Sequence, residues 1–351
     1  MYSRETETAG TSGSSLRNRL SALADRAGLL QLSRTLWSRS LSVVNYHRID
    51  DASRPGFDSF KPNVSADPEA FSQQLAYLRK WFNVIPVERL VEWLDGVTPL
   101  PPRAALITFD DGYLDNYTHA YPILRQHNLP ALIFLTTGHI GTDRPFYWDL
   151  AAYCFYHTGR ERVRFPSGTE RQWADANERE QVCKTWIEAM KVLPEAEKTG
   201  WVQRLPQELD VAIPAGYFRR LMLDWDLVRE MGEGGIAFGG HTLTHPILTR
   251  IPPGQAELEI RGSKERIHAE LGRPPLGFAY PNGMQADLNR EVEQIVAGAG
   301  YRTAFTLMNG PAGWSEIRRE PYRIRRIFIS HRHSLGQFAA LLSPLNRLRS
   351  N

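Results

Sequence analysis

The chain has few cysteines, a small net charge and no long apolar run. Among 351 residues only Cys154 and Cys183 are cysteines, which excludes a disulfide framework, and their spacing does not match paired metal ligands. The formal charge of +3 gives no reason to expect nucleic-acid binding. No window approaches the roughly 18 apolar residues of a membrane span. What remains is an ordinary globular composition, 42% hydrophobic and 23% charged.

The first 40 residues are predicted to form a tail followed by an amphipathic helix. Residues 1–15 are rich in Ser, Thr and Gly, and residues 16–41 place leucines at helical spacing between arginines. The helix either docks on the main domain or makes a peripheral contact with a membrane surface. No apolar stretch follows a basic start, so the sequence predicts no secretory signal and a cytoplasmic location. The sequence contains no indication of the oligomeric state.

Residues 41–345 alternate short apolar strands with helices. The strands are predicted at residues 41–46, 84–86, 104–109, 131–136, 235–238, 276–280, 303–307 and 325–330. Continuously apolar strands separated by helices indicate a parallel α/β sheet that is covered on both faces.

Residues 142–226 break this pattern. They are charged and rich in helix formers and tryptophan, with few strand signals. We interpret them as a mainly helical insertion, whose tryptophans pack in a small core rather than stack on sugar rings.

Two polar clusters carry the candidate chemistry. Residues 108–112 (TFDDG) end an apolar run with two adjacent carboxylates, Asp110 and Asp111. Residues 239–246 (GGHTLTHP) contain His241 and His245, an i, i+4 pair whose imidazoles would share one face of a helical turn. Taken separately, the first is common turn chemistry and the second an ordinary polar surface.

Together the clusters supply one carboxylate and two imidazoles for a divalent metal, with one carboxylate left to move protons. Three protein ligands leave coordination positions open, as a catalytic metal requires. In parallel sheets such groups meet beyond the carboxyl ends of the strands, where both clusters and His47 are predicted to lie. The pattern indicates a metal-dependent hydrolase, but not a zincin, because Thr242 stands where a zincin has glutamate.

The two clusters, in this order, resemble the motifs of the polysaccharide deacetylases of carbohydrate esterase family 4, the NodB-homology domain. The resemblance spans about residues 41–329 and implies an irregular, incomplete (β/α) barrel. It implies that Asp110 is the base and that Asp111, His241 and His245 bind the metal. The expected ion is Zn²⁺, with Co²⁺, Ni²⁺ or Mn²⁺ as alternatives.

Residues 45–49 (NYHRI) resemble the N-terminal Tyr-His motif of the poly-N-acetylglucosamine deacetylases. In that branch the histidine protonates the leaving amine, which implies that His47 is the general acid. His331 and His333 stand near the position of the family's C-terminal Leu-x-His motif, and they remain alternatives for this role.

Residues 278–283 (FAYPNG) resemble the family's third motif, which shapes the groove and helps to form the oxyanion site. The resemblance implies that Tyr280, Pro281 and Asn282 contact the substrate. Arg326 resembles a late arginine of related chains and is a candidate to orient Asp110 or to bind substrate. The alternative is a surface arginine beside an edge strand.

The implied reaction removes an N-acetyl group from an amino-sugar polysaccharide or oligosaccharide. A second hypothesis is a deacylase or deformylase of a small or lipid-linked sugar or of a non-sugar amide, which the lack of an export signal favours. A third is a non-catalytic carbohydrate-binding relative, but the intact ligand set argues against it. In each case the expected partner is a small molecule or a sugar, not nucleic acid.

Overall fold

The computed structural model describes residues 38–343. The predicted tail and most of the predicted amphipathic helix therefore lie outside the described residues. Within the described range, no helix is both long enough and apolar enough to cross a membrane.

A mixed sheet of nine strands forms the centre of the molecule. Its strands are β1 (Ser40–Tyr46), β4 (Asn83–Val84), β5 (Ala104–Phe109), β6 (Leu132–Leu135), β9 (Ala237–Gly240), β10 (Gly277–Ala279), β11 (Thr303–Phe305), β12 (Ala312–Gly313) and β13 (Ile327–Phe328). The order along the sheet is β11-β10-β9-β6-β5-β1-β12, with β4 beside β5 and β13 beside β1. The pairs are parallel except β1 with β12.

The chain before β13 brings the two sides of this sheet towards each other. Ile324 donates a backbone hydrogen bond to Ala304 in β11 and accepts one from Thr306, both at 2.9 Å. A few residues later, β13 pairs with β1 at the other side of the sheet. The sheet therefore curls into an incomplete barrel, and the predicted irregular (β/α) barrel is confirmed.

Helices cover the sheet between its strands. They are α1 (Pro68–Trp81), α2 (Val87–Leu94), α3 (Tyr121–His127), α4 (Tyr147–His157), α5 (Ala176–Lys191), α6 (Glu195–Glu208), α7 (Trp225–Glu233), α8 (Pro253–Leu271), α9 (Arg290–Gly298), α10 (Trp314–Arg319) and α11 (Leu335–Leu341). Helix α1 begins after the cap Asp67, whose carboxylate accepts a hydrogen bond from the Ala70 amide at 2.8 Å.

The central strands are buried along their whole length, although β1 carries Ser40, Ser42 and Asn45 among its apolar residues. Every residue of β1 and β5 is buried. Beside β1, a short parallel pair is formed by β2 (Arg48–Ile49) and β3 (Val64–Ala66). The chain that follows the strand predicted at residues 41–46 therefore enters a separate sheet after one residue, His47.

Residues 142–226 lie between sheet strands β6 and β9. They contain α4, α5 and α6 together with an antiparallel hairpin, β7 (Arg162–Arg164) and β8 (Glu170–Gln172). The sequence did not predict this hairpin, since its strands have only three residues each and β8 is exposed throughout. Trp148, Trp173 and Trp186 are buried.

Candidate active site

The polar residues singled out in the sequence gather at one rim of the barrel. Asp110 and Asp111 directly follow β5, His47 follows β1, and His241 follows β9. Parallel strands end at the same edge of a sheet, so clusters far apart in the chain meet there.

Three side chains have the arrangement of a metal site. The ligand atoms of Asp111, His241 and His245 lie within 4.8 Å of one another. The Oδ1 atom of Asp111 is 3.6 Å from the Nε2 atom of each histidine. Both carboxylate oxygens of Asp111 are buried and accept no hydrogen bond from any described residue. A buried carboxylate without a partner is costly, and a divalent cation would satisfy it, so these residues fit a metal ion.

The two metal-site histidines lie on a loop, so the prediction of a shared helical turn is wrong. Thr242 and His245 have left-handed backbones, with φ of +67° and +64°. The Thr242 hydroxyl accepts a hydrogen bond from the His245 amide at 2.9 Å. Glu259 in α8 accepts the amide hydrogens of Leu243 and Thr244, each at 2.8 Å. These bonds hold a strained loop, as is common at functional sites.

The environment prepares these side chains to bind a cation. His241 Nδ1 lies 2.7 Å from the carbonyl oxygen of Ala279, which leaves Nε2 towards Asp111. Burial lowers the pKa of His241 and of His245, so both imidazoles are neutral, as ligands must be. Burial and the adjacent charge of Asp110 raise the pKa of Asp111 well above its usual range, and a bound cation would oppose that effect.

Asp110 is held differently from its neighbour. Arg326 donates two hydrogen bonds to its carboxylate, Nη1 to Oδ1 at 2.6 Å and Nη2 to Oδ2 at 2.9 Å. The Asn45 amide donates a third, at 3.2 Å. Burial by itself raises the pKa of Asp110, but Arg326 and the nearby histidines lower it to about 2 overall. Asp110 is therefore an ionised, oriented carboxylate.

Arg326 lies inside the barrel and not on its surface. It is fully buried, which excludes the alternative of a surface arginine beside an edge strand. Its guanidinium also donates to the carbonyl of Thr306 at 3.0 Å and to the side-chain oxygen of Asn45 at 2.8 Å. A buried guanidinium with these partners is placed to orient Asp110 rather than to meet a substrate.

Among the three histidines considered as general acid, His47 has its ring beside Asp110. Its Nε2 atom lies 3.9 Å from Asp110 Oδ2. Burial lowers the pKa of His47 to about 4, against the opposing effect of the Asp110 charge. The rings of the other two have different partners: His331 Nδ1 lies 3.0 Å from the carbonyl oxygen of Val64 in β3, and His333 Nδ1 accepts a hydrogen bond from the Ser330 amide at 3.1 Å.

The residues of the third motif follow β10. Tyr280 is fully buried, and its hydroxyl donates to the Tyr322 carbonyl at 3.0 Å. Its backbone N–H donates to Phe305 at 3.1 Å, so this amide is already engaged. Pro281 has no N–H. Asn282 has a left-handed backbone with φ of +62°, and its N–H donates to no acceptor among residues 38–343.

Two residues with clear contacts to the site were not assigned a role from the sequence. Asn45 bonds both Asp110 and Arg326, and its signal is a buried polar side chain near the end of an apolar strand. Glu259 holds the histidine loop, but a glutamate in a charged helix does not stand out in a sequence.

The sequence profile of the polysaccharide deacetylases matches residues 98–304. The chain belongs to the polysaccharide deacetylase family. This confirms the resemblance drawn from the two motifs. The match includes both aspartates, both metal-site histidines and residues 280–282, whereas His47 and Arg326 lie outside it.

Relatives in sequence support the same assignment, and a solved structure supports the fold. YxkH of Bacillus subtilis is 51% identical over 243 residues, which cover 69% of this chain and 57% of YxkH. The poly-beta-1,6-N-acetyl-D-glucosamine N-deacetylase of Escherichia coli is 30% identical over 91 residues, or 26% of this chain and 13% of that protein. The matched segments thus span less than two thirds of these relatives. The structure of the Streptococcus pyogenes deacetylase PplD in complex with acetate covers 87% of this chain and 99% of its own, with a TM-score of 0.57 and 19% identity. At that identity it supports the fold.

Proposed function

We propose that the protein is a metal-dependent hydrolase that removes the N-acetyl group from an amino-sugar polysaccharide or oligosaccharide. The observation that carries this proposal is the buried set of Asp111, His241 and His245 beside an oriented Asp110 and His47. Zn²⁺ is the proposed ion, since it accepts mixed carboxylate and imidazole ligands. When bound, it supplies a Lewis acid that polarises the amide carbonyl and acidifies water.

In the proposed reaction Asp110 removes the proton from the attacking water. Arg326 and Asn45 fix the orientation of its carboxylate, so the base is aimed before the substrate arrives. His47 gives a proton to the nitrogen of the breaking amide bond, which leaves as an amine. In this proposal the proton taken from water passes from Asp110 to His47, whose Nε2 atom lies 3.9 Å from Asp110 Oδ2 and has to approach it by about 1 Å to form a hydrogen bond.

The backbone N–H of Asn282 is the proposed donor to the oxygen that becomes negative during attack. The neighbouring Tyr280 amide is bonded to Phe305, and Pro281 has no donor. Asn282 lies one residue beyond, and its N–H engages no acceptor in the described part of the chain. A free backbone N–H of this kind stabilises developing negative charge.

The proposed substrate is a polymer or oligomer of N-acetylglucosamine. The name of the Escherichia coli relative specifies that polymer, and the matched segment of this chain is 30% identical to it. The proposal also rests on the Tyr-His motif of residues 45–49, in which Tyr46 ends β1 and His47 follows it.

The adjacent aspartates provide the test. Purified protein is freed of metal with a chelator, reloaded with Zn²⁺, and assayed for acetate released from N-acetylglucosamine oligomers. We expect Asp110→Asn to retain bound zinc but to lose turnover by at least about a hundredfold, as loss of a general base does. We expect Asp111→Asn to lose both the zinc and the turnover, because it removes a metal ligand.

Each outcome of this assay decides between the hypotheses. Stoichiometric zinc in Asp111→Asn would contradict the ligand assignment. Formate release from N-formylated sugars, without acetate release, would identify a deformylase instead. If zinc binds but no metal-dependent hydrolysis occurs with either acyl group, the protein is a non-catalytic relative.

A further inference from the structure

The two metal-site histidines are oriented by different means. His241 has a carbonyl partner for its second ring nitrogen, the oxygen of Ala279 at 2.7 Å. The ring of His245 has no hydrogen-bond partner in any other residue of the described range, and its Nε2 atom lies 3.6 Å from Asp111 Oδ1, on the side of the metal site. Metal-binding histidines almost always have an outer partner that fixes the ring, so His245 needs another constraint.

Aromatic rings surround His245 instead. The ring of Trp148 meets it edge to face, with centroids 5.0 Å apart and planes at 76°. Phe146 does the same at 5.7 Å and 82°. With His241 at 4.8 Å and 76°, the imidazole is enclosed by three rings that are nearly perpendicular to it. Such contacts favour one ring orientation over others.

Phe146 and Trp148 belong to a stack of three rings. His139, Phe146 and Trp148 stack nearly parallel, with centroid distances of 4.2 Å and 4.5 Å and interplanar angles of 6° and 8°. We call these three residues the aromatic stack. All three are buried. The Nδ1 atom of His139 lies 2.9 Å from the Arg144 carbonyl, which fixes one end of the stack.

The other end of the stack is hydrogen-bonded to the segment that follows Asp111. Trp148 Nε1 donates to the Tyr113 hydroxyl at 2.7 Å, and that hydroxyl donates to Asp149 at 2.7 Å. Tyr113 comes two residues after the metal-site carboxylate Asp111. The stack therefore contacts His245 on one side and is hydrogen-bonded to the segment that carries Asp111 on the other.

The end of the insertion forms backbone hydrogen bonds with the segment that follows Asp111. Leu223 donates a backbone hydrogen bond to Gly112 at 3.0 Å, and Leu114 donates one to Leu221 at 2.8 Å. Residues near both ends of the 142–226 insertion thus form hydrogen bonds with the segment that carries Asp111.

We propose that the aromatic stack is the positioning element for His245 and replaces the outer hydrogen bond that this ligand lacks. The insertion is then part of the metal site, because Phe146 and Trp148 belong to it. This inference rests on the metal site of the proposed function, but not on the identity of the substrate.

The test compares two buried tryptophans of the insertion. Trp148 and Trp173 are each 7% exposed, and Trp173 packs on Phe155. The affinity for Co²⁺ is measured by competition with a chromophoric chelator, and the visible spectrum of bound Co²⁺ reports its geometry. We expect Trp148→Leu to weaken binding about tenfold and to change the spectrum, whereas Trp173→Leu leaves both near wild type. Trp148→Phe should regain most of the affinity.

Equal Co²⁺ affinities in Trp148→Leu and Trp173→Leu would overturn the inference. Should Trp148→Leu not fold, Phe146→Leu carries the same test, with Phe165→Leu as its control, since both phenylalanines are buried in residues 142–226. Wild-type protein that binds no divalent ion would overturn both this inference and the proposed function. Wild-type protein that binds Co²⁺ in the predicted way but releases no acetate would overturn the proposed function alone.

Discussion

The guanidinium of Arg326 has no exposed surface, and it donates hydrogen bonds to Asp110, Asn45 and Thr306. Such a pair adds little net stability, because both charges lost their hydration when they were buried. Removing one partner destabilises the protein, since the remaining charge stays buried without an opposite charge beside it. Among residues 38–343, Asn45 would then be the remaining side-chain donor to Asp110.

We expect Arg326→Met to lower the free energy of unfolding by about 3–5 kcal/mol, measured by urea denaturation of the metal-free protein. Arg261→Met is the control. Its guanidinium pairs with Glu257 at 2.7 Å, both side chains are nearly half exposed, and the pair should contribute about 1 kcal/mol or less. Adding Asp110→Asn to Arg326→Met should restore part of the loss. If both arginine substitutions lowered the free energy of unfolding equally, the buried Asp110 carboxylate would not depend on its positive partner for stability.

The choice of general acid rests on one histidine's position. His47 lies 3.9 Å from Asp110, while the ring of His333 accepts a hydrogen bond from Ser330. We expect His47→Ala to reduce kcat by about 10²–10⁴ with zinc content unchanged, and His333→Ala to keep near-normal turnover. Steady-state acetate release with zinc-loaded protein measures both. The reverse pattern would assign the acid to His333.

The loop of residues 241–245 depends on one helix, α8. Glu259 accepts two backbone N–H groups and the Thr244 hydroxyl, and it is buried. The loop can therefore keep left-handed residues at Thr242 and His245, which an unsupported loop would not favour.

We expect Glu259→Gln to destabilise the protein by about 1–3 kcal/mol, since hydrogen bonds to a charged acceptor are replaced by weaker ones. Amide hydrogen exchange of Leu243 and Thr244 should become faster. Glu257→Gln, two residues earlier on the same helix, is the control: its ion pair with Arg261 is about half exposed and should matter by less than about 1 kcal/mol. Unchanged exchange in Glu259→Gln would mean that the loop holds its own conformation.

Burial of histidines makes the stability of the whole protein depend on pH. Burial lowers the pKa of His139 and of His333 to about 4. In the unfolded chain a histidine has a pKa of about 6.5. Between these values the unfolded state binds a proton that the folded state excludes, so stability is full above pH 6.5 and falls as the pH drops towards 4.

The expected slope is about 1.4 kcal/mol per pH unit for each such histidine. Urea denaturation between pH 7.5 and 4.5 measures it. His333→Gln should flatten the slope by about that amount, while His268→Gln, on an exposed position of α8, should leave it as in wild type. A slope that does not change in His333→Gln would show that this ring is protonated in the folded protein.

Local chemistry in the sequence was enough to predict the parallel sheet and to single out the residues that gather at the candidate metal site, whereas the barrel followed from the family resemblance. Continuously apolar strands predicted a parallel sheet that is covered on both faces. Asp111, His241 and His245 were recognisable because their residue types suit a metal and because predicted strands ended beside them. The same local reasoning failed for the backbone between the histidines, since the support from Glu259 comes from a separate helix.

Tertiary contacts decide the orientation of each side chain proposed to act in the reaction. Arg326 lies 216 residues from Asp110 in the chain, and only closure of the barrel brings them together. Trp148 reads in the sequence as part of a helical core, yet its ring faces His245. Residue type and spacing state which chemistry a chain can perform. Which partner holds each group depends on how distant strands and loops pack, and that information is not local.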